Sequence, residues 1–412
     1  MNKAKNGKQV RIGIVGLGMA GSIMIPAIEA HPEVVLAGAA EPNEEFRKRF
    51  AEDFDCPATE TVEELVQLPD LDAVYIATPH QMHRDHVLMA ARHGKHVIVE
   101  KPMALKVEDC EEMIRACEEA KVKLVVGHTH GFGAPVAAIR ELVASGKFGA
   151  LRMIQSFNYT DFLYRPRRPE ELDSKLGGGI LFNQVPHQVE IVRSIAGGDI
   201  VTSVTAVTGK YDADRNTEGA VMAMLNLSGG ASATIVYSGY DHFDSDELHG
   251  WIGEGGNAKE PAQGQTRARL EQMRALGDEA DLRKQLFGYG SKLWPQIRAM
   301  AEAADHPHFG TLIVSCEGGD LRTVPGGIAI YSDSGHEFSE LPLPRPGGGR
   351  AEVLDELCDA VLRGKQPFHD GYFGRDTLEA CLGIQRAAQS GKQISLDAMS
   401  GANRQTGRLA HV

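Results

Sequence analysis

From residue 10 to about residue 126, short apolar runs alternate with stretches in which apolar residues return every three or four positions. The runs at 10–15, 34–40, 73–77, 95–99 and 123–126 have the length of buried strands. The spaced patterns through Ile23, Ile25 and Ile28, over 81–93 and over 107–120, are those of helices. Strands that each hand on to a helix predict a parallel sheet covered on both faces. After residue 131 the rhythm changes. A helix over 135–145 precedes strand-like runs at 151–159, 202–210, 220–226, 231–238, 311–316, 328–332 and 337–341, joined by glycine, aspartate and serine turns. No regular crossover helix separates these runs, which predicts a mostly antiparallel open sheet with helices on one face. Helical patterns over 351–362 and 377–390 close the fold.

The expected fold class is α/β, with a doubly wound first domain over 8–130, a second α+β domain over 131–395 and a tail over 396–412. Within the second domain, 259–304 is charged and helix-prone, too polar for a core, and reads as an insertion at the surface or at an interface. A sheet face left without helices would expose an apolar surface, so a homodimer or homotetramer is expected.

Composition narrows the partners. The 412 residues suffice for two domains, and the formal charge of -13 argues against nucleic acid or an anionic membrane as partner. Six scattered cysteines form no C-x-x-C pair, so neither a metal site nor a disulfide framework is expected. The start is polar, without the apolar core of a signal segment, and no run approaches eighteen apolar residues; the expectation is a cytoplasmic protein.

Candidate chemistry gathers at the carboxyl ends of the first strands. Gly16-Leu17-Gly18-Met19-Ala20-Gly21 is G-x-G-x-x-G between a strand and a helix, where Gly16 allows the tight turn, Gly18 the approach of a pyrophosphate, and Gly21 close helix packing. Glu41 ends the second strand and would accept from adenosine ribose hydroxyls while repelling a 2′-phosphate, which predicts NAD rather than NADP; the alternative is a helix cap. Thr78, Pro79, His80 and His83 follow the third strand, the two histidines as ligands of the cofactor or as helix caps. Glu100, Lys101 and Pro102 end the next strand abruptly, placing two ionisable side chains at the edge where such sheets bind ligands. In the second domain Gly177-Gly178-Gly179 precedes a helical stretch in which Asn183, His187 and Glu190 share a face by spacing, facing a cleft or serving only as cap and first-turn acid.

These motifs, in this order and over nearly the whole chain, resemble the Gfo/Idh/MocA family. Its glycine loop matches Gly16, Gly18 and Gly21; its T-P-x-x-x-H matches Thr78, Pro79 and His83; its E-K-P matches Glu100, Lys101 and Pro102. Its D-x-x-x-H helix matches with Asn183 in place of aspartate, followed by His187. The resemblance implies a Rossmann domain binding NAD, a lysine at 101 beside the nicotinamide and the reacting hydroxyl, and a histidine at 187 completing the acid–base site. Asn183 cannot supply the charge that would raise the basicity of His187, which shifts proton removal toward Lys101. More narrowly, GHTHGFG with His130, the block 158–173 and GGGILFNQVPHQVEIVR resemble phthalate 4,5-cis-dihydrodiol dehydrogenases. That implies a small anionic substrate derived from an aromatic ring. Arg165, Arg167 and Arg168 fit the same reading, as three guanidinium forks able to hold carboxylates, or else pair with Glu170 and Glu171.

Overall fold

The computed structural model describes residues 8–292, 294–295 and 305–396. Its first half alternates as β1 (Val10–Val15), α1 (Met19–Ala30), β2 (Val34–Ala40), α2 (Glu44–Phe54), β3 (Ala58–Thr59), α3 (Val62–Val66), β4 (Ala73–Ile76), α4 (His83–Arg92), β5 (His96–Val99), α5 (Val107–Glu119) and β6 (Leu124–Val126). All six strands pair in parallel in the order β3-β2-β1-β4-β5-β6. The order reverses between β1 and β4, and at such a reversal the loops leaving the strand ends part to form a crevice. The strands are apolar almost throughout because both faces are covered: Val97, Ile98 and Val99 of β5 are each fully buried.

The second half contains α6 (Ala134–Ala144), β7 (Leu151–Tyr159), α7 (Ile180–Asn183), α8 (Val185–Ile195), β8 (Val201–Gly209), β9 (Ala220–Leu227), β10 (Ser232–Ser238), α9 (Thr266–Arg274) and α10 (Glu279–Phe287). It continues with β11 (Thr311–Cys316), β12 (Gly319–Val324), β13 (Gly327–Ser332), β14 (Gly335–Glu340), α11 (Gly349–Leu362), α12 (Gly371–Ser390) and β15 (Ile394–Ser395). Its nine strands run in the order β14-β13-β12-β11-β7-β10-β9-β8-β15, antiparallel except for β7 beside β10. That one parallel pair follows from α7 and α8, which carry the chain across a sheet face between β7 and β8. The fold is α/β with a mostly antiparallel second sheet, as the patterning predicts.

Two departures from the sequence reading bear on the site. The helix expected to carry Asn183, His187 and Glu190 together is divided at Gln184: Asn183 ends the short α7, and α8 begins at Val185 with Pro186 in its first turn. The boundary at residue 130 is also crossed once more. Val353, Leu354, Leu357 and Cys358 of α11 pack with α1 and the strand faces of β1 and β4, so this late helix is part of the first domain's core. The tail at 396–412 lies outside the described residues apart from Leu396.

Candidate active site

A cleft of about 1400 Å³ lies between the two halves. It exceeds the roughly 300–1,000 Å³ of an ordinary small-molecule site, which leaves room for a dinucleotide and a second ligand together. One wall is the carboxyl edge of the parallel sheet: Gly16, Gly18, Met19, Ala20, Glu41, Thr78, Pro79, His80, Glu100 and Lys101 all line it. Gly16 sits at φ +93, and a Cβ on Gly21 would stand 1.9 Å from the Gly16 carbonyl oxygen, so both positions require glycine for the turn itself. Gly21 accordingly packs behind the loop and does not line the cleft. Gly18 differs. A Cβ there would meet no protein atom within 4 Å, and the space it leaves open is where a pyrophosphate would lie against the start of α1.

Glu41 is held in place by two backbone donors, Leu17 N–H at 2.8 Å and Asn43 N–H at 2.9 Å. A carboxylate has about four acceptor positions, so two remain for ribose hydroxyls. The residues present therefore fit NAD. The charged segment after residue 259, expected at the surface or an interface, covers this same end. Ala280, Asp281, Arg283, Lys284 and Gly288 line the cleft, Tyr289 N–H donates to the Leu17 carbonyl at 3.0 Å, and the Tyr289 hydroxyl donates to Asp53 at 2.7 Å. The positions 293 and 296–304 of that segment lie outside the described residues.

At the other end Lys101 and the second domain meet. The Lys101 ammonium donates to the Asn183 backbone carbonyl at 2.8 Å, and its own backbone N–H donates to Glu100, which also accepts from the Tyr75 hydroxyl. Burial pushes Lys101 down to about 8, against the opposing pull of Glu100 and with help from the Arg167 charge. His187 and His130 stand edge to face with ring centres 4.4 Å apart, and Phe309 packs against both at 4.8 and 4.7 Å. Burial holds both imidazoles neutral: His187 falls well below the ordinary histidine value, with Lys101 adding to the effect, and His130 falls to about 3. His187 Nδ1 is buried without a hydrogen-bond partner. A depressed lysine beside two neutral imidazoles in an apolar pocket can take a proton from a hydroxyl group near neutral pH.

Three sequence expectations are corrected by placement. His83 does not reach the cleft: it is fully buried, with Nε2 2.9 Å from the Thr78 carbonyl and Nδ1 3.1 Å from the Pro102 carbonyl, and so ties the loop after β4 to the end of β5. Glu190 faces inward, and the break at Gln184 leaves Asn183 on the preceding short helix, apart from His187 and Glu190 on α8. It accepts from Gly131 N–H at 2.9 Å and Ser194 Oγ at 2.8 Å, and lies 3.1 Å from His369, and these partners hold it away from the cleft. The three arginines do not converge. Arg165 pairs with Asp161 at 2.7 Å, and Arg167 donates to the Phe162 carbonyl at 2.9 Å with its guanidinium over the Phe162 ring; neither lines the cleft. Arg168 lines it, paired with Glu170 and Glu171 at 3.4 Å each, which is the alternative the sequence left open. The Asn183 amide donates to the Gly179 carbonyl at 2.8 Å, a bond an ionised aspartate could not make. Phe309, Glu254, Arg283 and Arg350 line the cleft without having been read from the sequence. For Arg350 a signal existed: it follows Gly347-Gly348-Gly349, the second triple glycine of the chain.

Residues 10–128 match the family model described as the oxidoreductase family's NAD-binding Rossmann fold, and residues 136–256 match the GFO/IDH/MocA C-terminal domain. A relative from Comamonas testosteroni is 40% identical over 91% of this chain and 94% of its own length. The chain belongs to the Gfo/Idh/MocA oxidoreductase family. It is an enzyme of that family, and NAD is its cofactor. The Comamonas testosteroni relative is named 1-carboxy-3-chloro-3,4-dihydroxycyclo hexa-1,5-diene dehydrogenase. An inositol 2-dehydrogenase of Rhizobium meliloti (strain 1021) is 28% identical over 58% of this chain and 73% of its own. A solved structure from Bordetella bronchiseptica RB50 superposes with a TM-score of 0.88 at 44% identity, covering 94% of this chain and all of that one.

Proposed function

We propose that this Gfo/Idh/MocA oxidoreductase oxidises a cis-dihydrodiol of a benzene carboxylate to the corresponding catechol, with the 4,5-dihydrodiol of phthalate as the substrate read from its sequence. The observation that carries this is the 40% identity, over nearly the full length of both chains, to a dehydrogenase named for a carboxylated cyclohexadiene diol. Bound NAD supplies the hydride acceptor. Lys101, lowered to about 8, takes the proton of the reacting hydroxyl, and at pH 7 about a tenth of it is already neutral. His187 and His130, both uncharged, orient the diol through hydrogen bonds, while Phe309 excludes water from the pocket they share. Loss of the hydride and the hydroxyl proton leaves a ketone, which becomes the catechol when a ring proton moves to its oxygen. Asn183 serves through its backbone carbonyl, which aims the Lys101 ammonium.

The reaction is proposed to take place in the cytoplasm; among the described residues no helix is long and apolar enough to cross a membrane. The test is NADH formation by purified protein across a panel of the phthalate dihydrodiol, a monocarboxylated dihydrodiol, an uncharged benzene dihydrodiol, myo-inositol and glucose. Carboxylated dihydrodiols should give kcat/KM values at least tenfold above all others. A preference for inositol or glucose would replace the reading with a polyol or sugar dehydrogenase, and absence of NADH with every compound would favour an NAD-binding sensor.

A further inference from the structure

Three arginines line the cleft, and two of them have acidic partners: Arg168 pairs with Glu170 and Glu171, and Arg283 with Glu171 at 3.0 Å. The Arg350 guanidinium has neither an ion pair nor a hydrogen bond among the described residues, although it is only partly exposed. A half-buried cation with no counter-charge is costly unless something outside the chain supplies one. Its position is set by the turn that precedes it. A Cβ on Gly349 would stand 1.9 Å from the Thr129 carbonyl oxygen, and one on Gly348 would touch Pro307 at 3.4 Å. The turn is thus wedged between the loop that carries His130 and the loop that carries Phe309, the two residues that pack against His187. The Arg350 charge depresses the imidazoles of both His130 and His187, so its field reaches the end of the cleft where Lys101 lies, away from the Glu41 end.

We infer that Arg350 is the substrate-binding residue that receives a carboxylate of the ring, taking the role that Arg165, Arg167 and Arg168 cannot fill. This rests on the proposed function for the identity of the substrate, and on the cleft itself for the presence of an anion site. The guanidinium fork suits a carboxylate held by two parallel hydrogen bonds, and the diol would then lie against His187 and Lys101 with its carboxylate toward α11.

Calorimetric titration of phthalate and of its neutral diamide, phthalamide, into the wild-type protein and the Arg350→Gln variant tests this, with NAD titrated separately into both. Phthalate should bind the wild-type protein better than phthalamide by about ten- to a hundredfold, the scale of a hydrogen bond to a charged group, and Arg350→Gln should abolish that difference. Arg350→Lys, which keeps the charge without the fork, should fall between them. NAD affinity should stay within about twofold in both variants, a readout that also reports folding. The inference is overturned if phthalate fails to bind the wild-type protein, if the variants bind it equally well, or if they lose NAD by the same factor, which would assign Arg350 to the pyrophosphate. Arg350-dependent phthalate binding by a protein that oxidises no dihydrodiol would instead defeat the proposed reaction and leave the anion site standing.

Discussion

At the scale of single residues, the proposed reaction turns on Lys101 as the base. Replacing it with alanine should lower turnover by about a hundredfold or more, the scale of a lost general base, while NAD binding persists because the glycine loop and Glu41 are untouched. Since the proposed base acts as neutral lysine and burial brings the group to about 8, kcat/KM of the wild-type enzyme should climb with pH up to about 8 and then level, and the variant should lose that limb. A Lys101→Ala enzyme with near-normal turnover would exclude the lysine as base. Glu41→Ala should weaken NAD and relieve the repulsion of NADP. Lys284, whose ammonium lies over the Phe46 ring, and Arg47, which donates to the Glu41 carbonyl, stand close enough to welcome a 2′-phosphate once the carboxylate is gone. Equal use of both cofactors by the unmutated enzyme would contradict that role. Residues such as these were legible because each follows a strand whose apolar run ends abruptly. For Arg350 the sequence offered only the triple glycine before it, because what makes it notable is the missing counter-charge, and that exists only once α11 has packed beside α1.

Among the elements, one buried charge cluster ties α8 to α11 and to the start of α12. His369, just before α12, lies 3.1 Å from Glu190 of α8 and 3.2 Å from Glu356 of α11, and these two carboxylates lift it to about 9 despite its burial. The folded value exceeds the ordinary one, so protonated His369 stabilises the fold fully below about pH 6.5, and that contribution, on the order of 3 kcal/mol, is lost as pH rises through about 9. The thermal midpoint of the wild-type protein should fall between about pH 6.5 and pH 9.5 by more than that of His369→Gln, which lacks the group and starts lower. An identical pH response in both proteins would show that the cluster does not carry this linkage. Periodicity placed most strands within a residue or two, since burial on one or both faces imposes its own spacing. It missed β12, where Asp320 and Arg322 interrupt the run, and it joined Asn183 to the helix of His187 and Glu190, since spacing alone does not register the division at Gln184.

For the molecule as a whole, the outer face of the second sheet carries a row of apolar residues in register across four strands: Val207 opposite Met222, Met222 opposite Val236, Val236 opposite Phe157. Val207 and Met222 are 63% and 58% exposed, an uncovered surface of the kind that monomers rarely leave open. We propose a second copy of this chain as its cover. Light scattering at micromolar concentration should give a dimer or tetramer mass, and Met222→Glu should reduce it; a monomeric mass for the wild-type protein would contradict the proposal. The proposed activity draws on the whole fold, since the glycine loop, Lys101, His187 and Arg350 come from widely separated stretches that meet only in the cleft. The most direct measurement is the product balance when purified protein is incubated with NAD and phthalate cis-4,5-dihydrodiol. NADH and 4,5-dihydroxyphthalate should form in equal amounts, and both about a hundredfold or more slowly with Lys101→Ala. Diol left unchanged beside a protein that binds NAD, or NADH formed only from polyols, would contradict the proposed reaction.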